Sequence, residues 1–350
     1  EEAAAIPEAD VVTGSGNRHA ILEDVEKVLH GECERVVDIR PHHKGEAFEE
    51  LPLDKFAEHT RAFVKVEDGC NRQCAYCVIP RARGPVRSRS EASILDELQR
   101  LARAGYREVV LTAISLPSYG SDTGTGLAEL VEHAAAVPGI ERIRLGSLDP
   151  DMLDDETIRR LAAVPQLCPQ FHLSLQSGCS KTLRAMRRPY TAEQYADIAE
   201  KLRQAFGQTP VSFTTDVIVG FPGETEADFE ESLRFVLGQR FLKVHVFPYS
   251  RRSGTPAYDF PNQVPEHEKE ARSRRMGEAV ERVRAEVARA MLGQCADVLL
   301  ETPLSATLFT GYTPQYLPVL VNAPGGHSGE IVRVTLGEWD GQRCRTAVKG

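Results

Sequence analysis

The chain has 350 residues, of which 41% are hydrophobic and 27% charged, and it carries a formal charge of −9 at neutral pH. That length allows two domains and a sizeable core, and the composition is that of a globular protein rather than a disordered one. No apolar run is long enough to cross a bilayer as a helix.

The opening residues read as mid-domain sequence. A short strand at Val11, Val12 and Thr13 runs into a glycine-rich turn, and a helix follows with Ile21, Val25 and Val28 on one face. The turn lacks the lysine and the spacing of a P-loop. Residues 34–60 are polar and mixed in charge, a linker with an extended piece. From there strands and helices alternate. Strands are expected over 61–66, 108–112, 140–145, 171–175, 211–219 and 242–247. Helices are expected from Ser90 to Gly105 and over 127–137, 155–163, 192–206 and 226–237. That rhythm predicts a parallel sheet covered by helices, with ligands at the carboxyl ends of the strands. Residues 264–293 predict one long helix with Met276, Val280, Val283, Val287 and Met291 on its packing face. Short alternating runs at 296–301, 317–321 and 330–336, punctuated by Gly and Pro, predict a small antiparallel barrel.

The densest chemistry is C-x3-C-x2-C at Cys70, Cys74 and Cys77. Three thiols this close cannot pair completely as disulfides, and as thiolates they repel one another. A cationic centre resolves both problems, since thiolate is the preferred ligand of zinc and of iron–sulfur clusters. A structural zinc needs a fourth ligand, usually from a second pair, and no matching pair lies downstream. Three ligands on one loop suit a [4Fe–4S] cluster with one iron open to a substrate; zinc or inert core cysteines are the alternatives. The other cysteines (Cys33, Cys168, Cys179, Cys295 and Cys344) lack framework spacing, which fits a reducing compartment and a cytoplasmic location.

With an aromatic, Tyr76, before the third cysteine, this loop resembles the signature of radical S-adenosylmethionine (SAM) enzymes. The flanks, Thr60-Arg61-Ala62-Phe63-Val64-Lys65-Val66 and Ile79-Pro80-Arg81-Ala82-Arg83-Gly84-Pro85-Val86-Arg87-Ser88-Arg89, are similar to those of the methylthiotransferases. The branch most resembled acts on N6-threonylcarbamoyladenosine at position 37 of tRNA. Thr214-Thr215-Asp216-Val217-Ile218-Val219-Gly220-Phe221-Pro222-Gly223-Glu224-Thr225 and Val244-His245-Val246-Phe247-Pro248-Tyr249-Ser250-Arg251 match further family motifs.

The resemblance implies a partial TIM-type (β/α)6 barrel over residues 61–263 and a connecting helix over 264–293. A C-terminal TRAM domain, an OB-like RNA-binding module, is implied over 294–350. Residues 1–45 would be the remnant of the family's N-terminal domain, with 46–60 as linker. The cysteines that hold an auxiliary [4Fe–4S] cluster in that domain have no counterpart in this segment, so the second cluster is expected only in a full-length protein. Cys70, Cys74 and Cys77 would hold the catalytic [4Fe–4S] cluster, whose open iron chelates SAM and whose electron cleaves it to a 5′-deoxyadenosyl radical. Tyr76, Ile79, Thr112, Ser147, Ser174, Gln176, Arg188, Asp216 and Val246 would line the cofactor site. Implied partners are the anticodon loop of tRNA and a reductant such as flavodoxin or ferredoxin, with no membrane.

Net negative charge is awkward for binding phosphate, yet binding depends on local patches. Arg81, Arg83, Arg87 and Arg251 are candidate RNA contacts, and Tyr312 and Tyr316, in the TRAM central loop, are candidates to stack on a base. The bland alternative is salt-bridged arginines and ordinary core tyrosines. Ala113, Asp149 and Gln170 depart from the family's usual Gly, Glu and His. Two other functions compete: methylthiolation of a ribosomal-protein aspartate, and a truncated chain that binds SAM and RNA without donating sulfur.

Overall fold

The structure, a computed structural model, describes residues 3–51 and 60–348. Six parallel strands are the frame: β1 (Arg61–Lys65), β2 (Glu108–Thr112), β3 (Arg142–Leu145), β4 (Gln170–Leu173), β5 (Ser212–Val219) and β6 (Lys243–Pro248). They lie side by side in chain order. At Gly146 the third strand changes partner: Arg142–Leu145 pairs with β2, whereas its continuation Ser147–Leu148 pairs with β4. A Cβ at Gly146 would stand 3.3 Å from the Leu111 carbonyl, so the switch favours the residue without a side chain.

Helices α1 (Glu91–Arg103), α2 (Leu127–Ala135), α3 (Asp155–Ala162), α4 (Ala192–Ala205) and α5 (Glu226–Gln239) fill the crossovers. Their starts are chemically marked. Ser90, Asp154, Thr191 and Thr225 each accept a hydrogen bond from a backbone N–H in the first turn, and the last two form complete capping boxes. The apolar faces of these helices bury Leu98, Leu101, Leu130, Ile158, Tyr195 and Phe229 against strand residues such as Val64, Val109, Ile143, Phe171 and Phe213. The expected βα order and element types therefore hold, with boundaries shifted by a few residues.

The Gly-Phe-Pro-Gly turn after β5 is a structural connection. Glu224 accepts from the N–H groups of Gly220 and Phe221 and pairs with Arg272 at 3.2 Å. Burial lifts its carboxyl to about 7 despite that arginine.

Helix α6 (Glu266–Arg289) joins two cores. Met276 and Val280 pack into the barrel, while Ala288 and, just beyond the helix, Met291 pack into the C-terminal domain. That domain is a closed five-stranded barrel of β7 (Cys295–Pro303), β8 (Leu308–Tyr312), β9 (Pro318–Asn322), β10 (Ile331–Trp339) and β11 (Cys344–Val348). The expectation of an antiparallel barrel needs one correction, because β9 and β11 pair in parallel to close it. Strands β8 and β11 were not read from the sequence. Their Thr, Gly, Arg and Cys residues interrupt the apolar alternation that marks the other three.

At the amino end, Val11–Thr13 pairs in parallel with Val36–Asp38 across the helix Ile21–Leu29. The extended piece expected within 34–60 is thus a strand; most of the expected linker, residues 52–59, lies outside the described residues.

Candidate active site

The cysteine loop leaves β1 at the carboxyl end of the barrel and is held by backbone bonds on three sides. Cys70 N–H donates to Gly84 O (3.0 Å), Ala75 N–H to Met186 O (2.9 Å), and Ala257 N–H to Ala75 O (2.8 Å). Gly69 is essential to this path: its φ is +90°, and a Cβ there would lie 2.0 Å from Pro85 O. These bonds fix the path of the loop.

Donors are already aimed at the sulfurs. Arg188 Nη1 lies 3.3 Å from Cys74 Sγ, and the Arg72 N–H lies 3.4 Å from Cys70 Sγ. Burial pushes the Cys70 and Cys77 thiols up, and the mutual repulsion of the three sulfurs adds to it. Alone, these thiols keep their protons; a cationic centre would replace the protons and relieve the repulsion. Among the described residues no three His, Cys, Asp or Glu side chains converge as ligands of a single metal ion. The donor chemistry of the loop, three soft sulfurs of which Cys70 and Cys74 already take N–H donors, fits an iron–sulfur cluster.

Arg188 is fixed by its neighbours. It pairs with Asp149 and donates from Nε to Tyr190 Oη (2.9 Å), and that hydroxyl donates to Ser174 O (2.6 Å). Asp149 and Asp151 also take Arg72, at 3.2 and 2.8 Å. The departure at Asp149 is thus the hub of a two-arginine cluster beside the cysteines. Ala113, the other departure near the strand ends, packs against the barrel core.

Beside the loop opens a cleft of about 320 Å³, lined by Tyr76, Cys77, Ile79, Gln176, Asp216, Ile218 and Phe247 among others. Gln176 holds a left-handed φ of +68°, and its backbone donates to Asp216 O and accepts from Ile218 N–H, so the chain beyond β4 pairs again with β5 at the cleft. The structure brings Tyr76, Ile79, Gln176 and Asp216 together here. Ser174 and Arg188 stand behind the cysteines, while Thr112 and Ser147 mark the ends of β2 and β3.

Val246 does not join them. Its side chain packs with the core outside the barrel, and the alternation of β6 turns His245 and Phe247 the other way. Those two are functional candidates that the sequence reading passed over; their position one residue either side of Val246 was the available signal.

The expected RNA contacts divide. Arg87 is buried, donating to the carbonyls of Arg83 and Pro85, and is not a surface cation. Arg83 is half-buried, 3.6 Å from Asp68. Arg81 and Arg251 are exposed, with Arg251 lying over the Tyr258 ring at 4.1 Å. Tyr312 ends β8 rather than sitting in a loop. It stacks on Tyr316 with ring centroids 4.4 Å apart, and Arg61 lies 5.2 Å from both rings. This stack sits at the amino ends of the strands, on the face opposite the cysteines.

The same face holds the two domains together. Buried Arg144 donates to Glu108 (2.7 Å), Thr313 O (2.8 Å) and Pro314 O (2.9 Å), and Arg61 pairs with Glu301 at 2.9 Å. Burial would raise the Glu108 carboxyl, but Arg144, Arg142 and Arg61 outweigh it and hold it below its usual range.

Comparison with known proteins gives the chain a family. Residues 64–236 match the radical SAM superfamily. The threonylcarbamoyladenosine tRNA methylthiotransferase MtaB of Bacillus subtilis is 36% identical over 341 residues, spanning 96% of this chain and 75% of that one. The corresponding protein of Chlamydia pneumoniae is 40% identical over 77% of this chain and 63% of its own length. A tRNA-2-methylthio-N(6)-dimethylallyladenosine synthase of Pelotomaculum thermopropionicum is 37% identical over 84% of this chain and 65% of its own length. The chain thus spans between 63% and 75% of these relatives. Among solved structures, coproporphyrinogen III oxidase of Escherichia coli, a radical SAM enzyme, aligns with a TM-score of 0.48 at 14% identity, covering 73% of this chain and 67% of that one. The chain belongs to the radical SAM superfamily and, within it, to the tRNA methylthiotransferases of the MtaB-like branch.

Proposed function

We propose that the protein methylthiolates ring carbon 2 of N6-threonylcarbamoyladenosine at position 37 of tRNA. The observation that carries this reading is the backbone-anchored three-cysteine loop, with Arg188 on Cys74, opening onto a nucleoside-sized cleft. Cys70, Cys74 and Cys77 would hold a [4Fe–4S] cluster. With SAM bound, that cluster supplies a carbon-centred radical by one-electron cleavage of the sulfonium.

The chain's own residues do the rest. The Arg72 backbone N–H favours the thiolate form of Cys70, and the charge of Arg188 favours that of Cys77. Tyr76 and Phe247 wall the cleft with apolar surface and exclude water from a reactive centre. Asp216 offers a carboxylate to hydroxyl or amino donors of a nucleoside. Exposed Arg81, Arg187, Arg251 and Arg252 are available to phosphates around the mouth. An anticodon-loop base reaches such a mouth without melting a helix.

In the full-length protein an auxiliary [4Fe–4S] cluster is the proposed sulfur source, a flavodoxin or ferredoxin the proposed reductant, and the cytoplasm the proposed location. The test is nucleoside analysis of tRNA from a deletion strain complemented with the full-length gene. Reappearance of the 2-methylthio derivative of threonylcarbamoyladenosine supports the reading. Complementation that leaves tRNA unchanged but modifies a ribosomal-protein aspartate would replace it.

A further inference from the structure

A line of polar side chains crosses the wall between β4 and β5 and ends in the cleft. Thr214 stands opposite His172 in register, and Asp216 stands opposite His245 on β6. His172 Nε2 faces Asp216 Oδ2 across a long polar contact of 3.5 Å, and this buried nitrogen has no other partner. The other ring nitrogen, Nδ1, is 3.0 Å from Thr214 Oγ1, which in turn lies 3.2 Å from Gln170 Nε2.

The polarity of this line follows from its carboxylate end. An ionised carboxylate only accepts, so the favourable proton position on the ring is Nε2. Nδ1 is then a bare acceptor and takes the Thr214 hydroxyl proton. With that proton committed, the Thr214 oxygen accepts from the Gln170 amide. Each link dictates the next, and Gln170, which departs from the family's usual histidine, closes the far end with a donor that does not titrate.

We propose that His172 is a positioning residue: anchored by Gln170 through Thr214, its Nε2–H aims the Asp216 carboxylate at the hydroxyl or amino donors of a nucleoside in the cleft. This rests on the nucleoside reading of the cleft given above. Asp216 is the member of the line that meets a ligand, since its side chain is 33% exposed and lines the cleft. His172 stays behind it. The His245 ring, 6.2 Å away and stacked on Phe247, borders His172 on the remaining side. Two nucleosides share the required chemistry, the adenosine of SAM and the target adenosine of tRNA, and binding measurements separate them.

The experiment uses full-length protein labelled with 15N-histidine. Long-range 1H–15N spectra report the His172 tautomer, assigned by the signal lost in His172→Gln. A proton on Nε2 is expected; an Nδ1–H tautomer with a bare Nε2 overturns the proposal. In parallel, equilibrium dialysis measures SAM, and filter binding measures an anticodon stem-loop RNA. His172→Ala should weaken one of the two about tenfold, as loss of a hydrogen bond to a charged group implies. His172→Gln, which keeps an N–H donor, should recover most of that loss. Unchanged affinity for both ligands in the alanine variant, or no recovery with glutamine in a variant of wild-type thermal stability, overturns it. Wild-type protein that binds neither ligand sinks the nucleoside reading instead, and the tautomer still decides the geometry of the line.

Discussion

Arg188 Nη1 lies 3.3 Å from Cys74 Sγ, while another nitrogen of the same guanidinium pairs with Asp149. One side chain thus links the cysteine loop to the end of β3. Because Arg188 is buried, its planar fork cannot be replaced by a point charge. Arg188→Lys should keep the fold but lower SAM cleavage at least about tenfold. Arg188→Met should in addition cost about 1 to 3 kcal/mol, because Asp149 then keeps only Arg72 as a partner. Denaturant melts and 5′-deoxyadenosine release check the two effects separately.

Ala113 stands where the family usually has glycine, yet it packs against the barrel core. Ala113→Gly should therefore leave the Kd for SAM within about threefold of wild type and cost up to about 1 kcal/mol through added freedom of the unfolded chain. A large gain in SAM affinity would show that the methyl group obstructs the cofactor.

Arg144 satisfies Glu108 and two carbonyls of the C-terminal domain from a buried position. Arg144→Met should destabilise the protein by about 3 to 5 kcal/mol and split one thermal transition into two, as the domains lose their seam. Glu108 sets the pH dependence here. Its carboxyl is held below its usual range, so its contribution is present above the unfolded pKa and is lost as pH falls through the folded one. Calorimetry should show the seam loosening below about pH 4.

Glu67 runs the opposite way. It is fully buried, its Oε1 lacks a partner, and burial pushes its carboxyl up to about 8 against the pull of the Ser115 N–H. A raised carboxyl contributes stability that is complete below the unfolded pKa and declines as pH rises toward the folded value. Stability should therefore fall between about pH 4.5 and 8, and Glu67→Gln should flatten that slope and stabilise the protein at pH 7 by about 1 to 3 kcal/mol. Urea midpoints across that range measure it.

The βα rhythm was legible because each parallel strand is an apolar run and each crossover helix opens on a capping residue such as Ser90 or Thr191. The cysteine loop was legible because its spacing is itself the chemistry. Long-range pairing was not. The arginine run after the loop looked like a phosphate patch, but Arg87 and Arg89 fold inward; Arg89 meets Glu97, which no local pattern announces. Nor does the local sequence show that Arg61 and Arg144 lie against Tyr312 and Tyr316. Val246 and its neighbours His245 and Phe247 fall on opposite faces of β6, which a motif does not show because it gives position but not face.

The most direct test of the cluster assignment is made on anaerobically reconstituted protein, measuring iron per chain together with release of 5′-deoxyadenosine from SAM under reduction. About four irons from the loop cluster and SAM cleavage are expected, both lost when Cys70, Cys74 and Cys77 are changed together to alanine. Zinc in place of iron, or iron and cleavage that survive the triple substitution, would contradict the assignment.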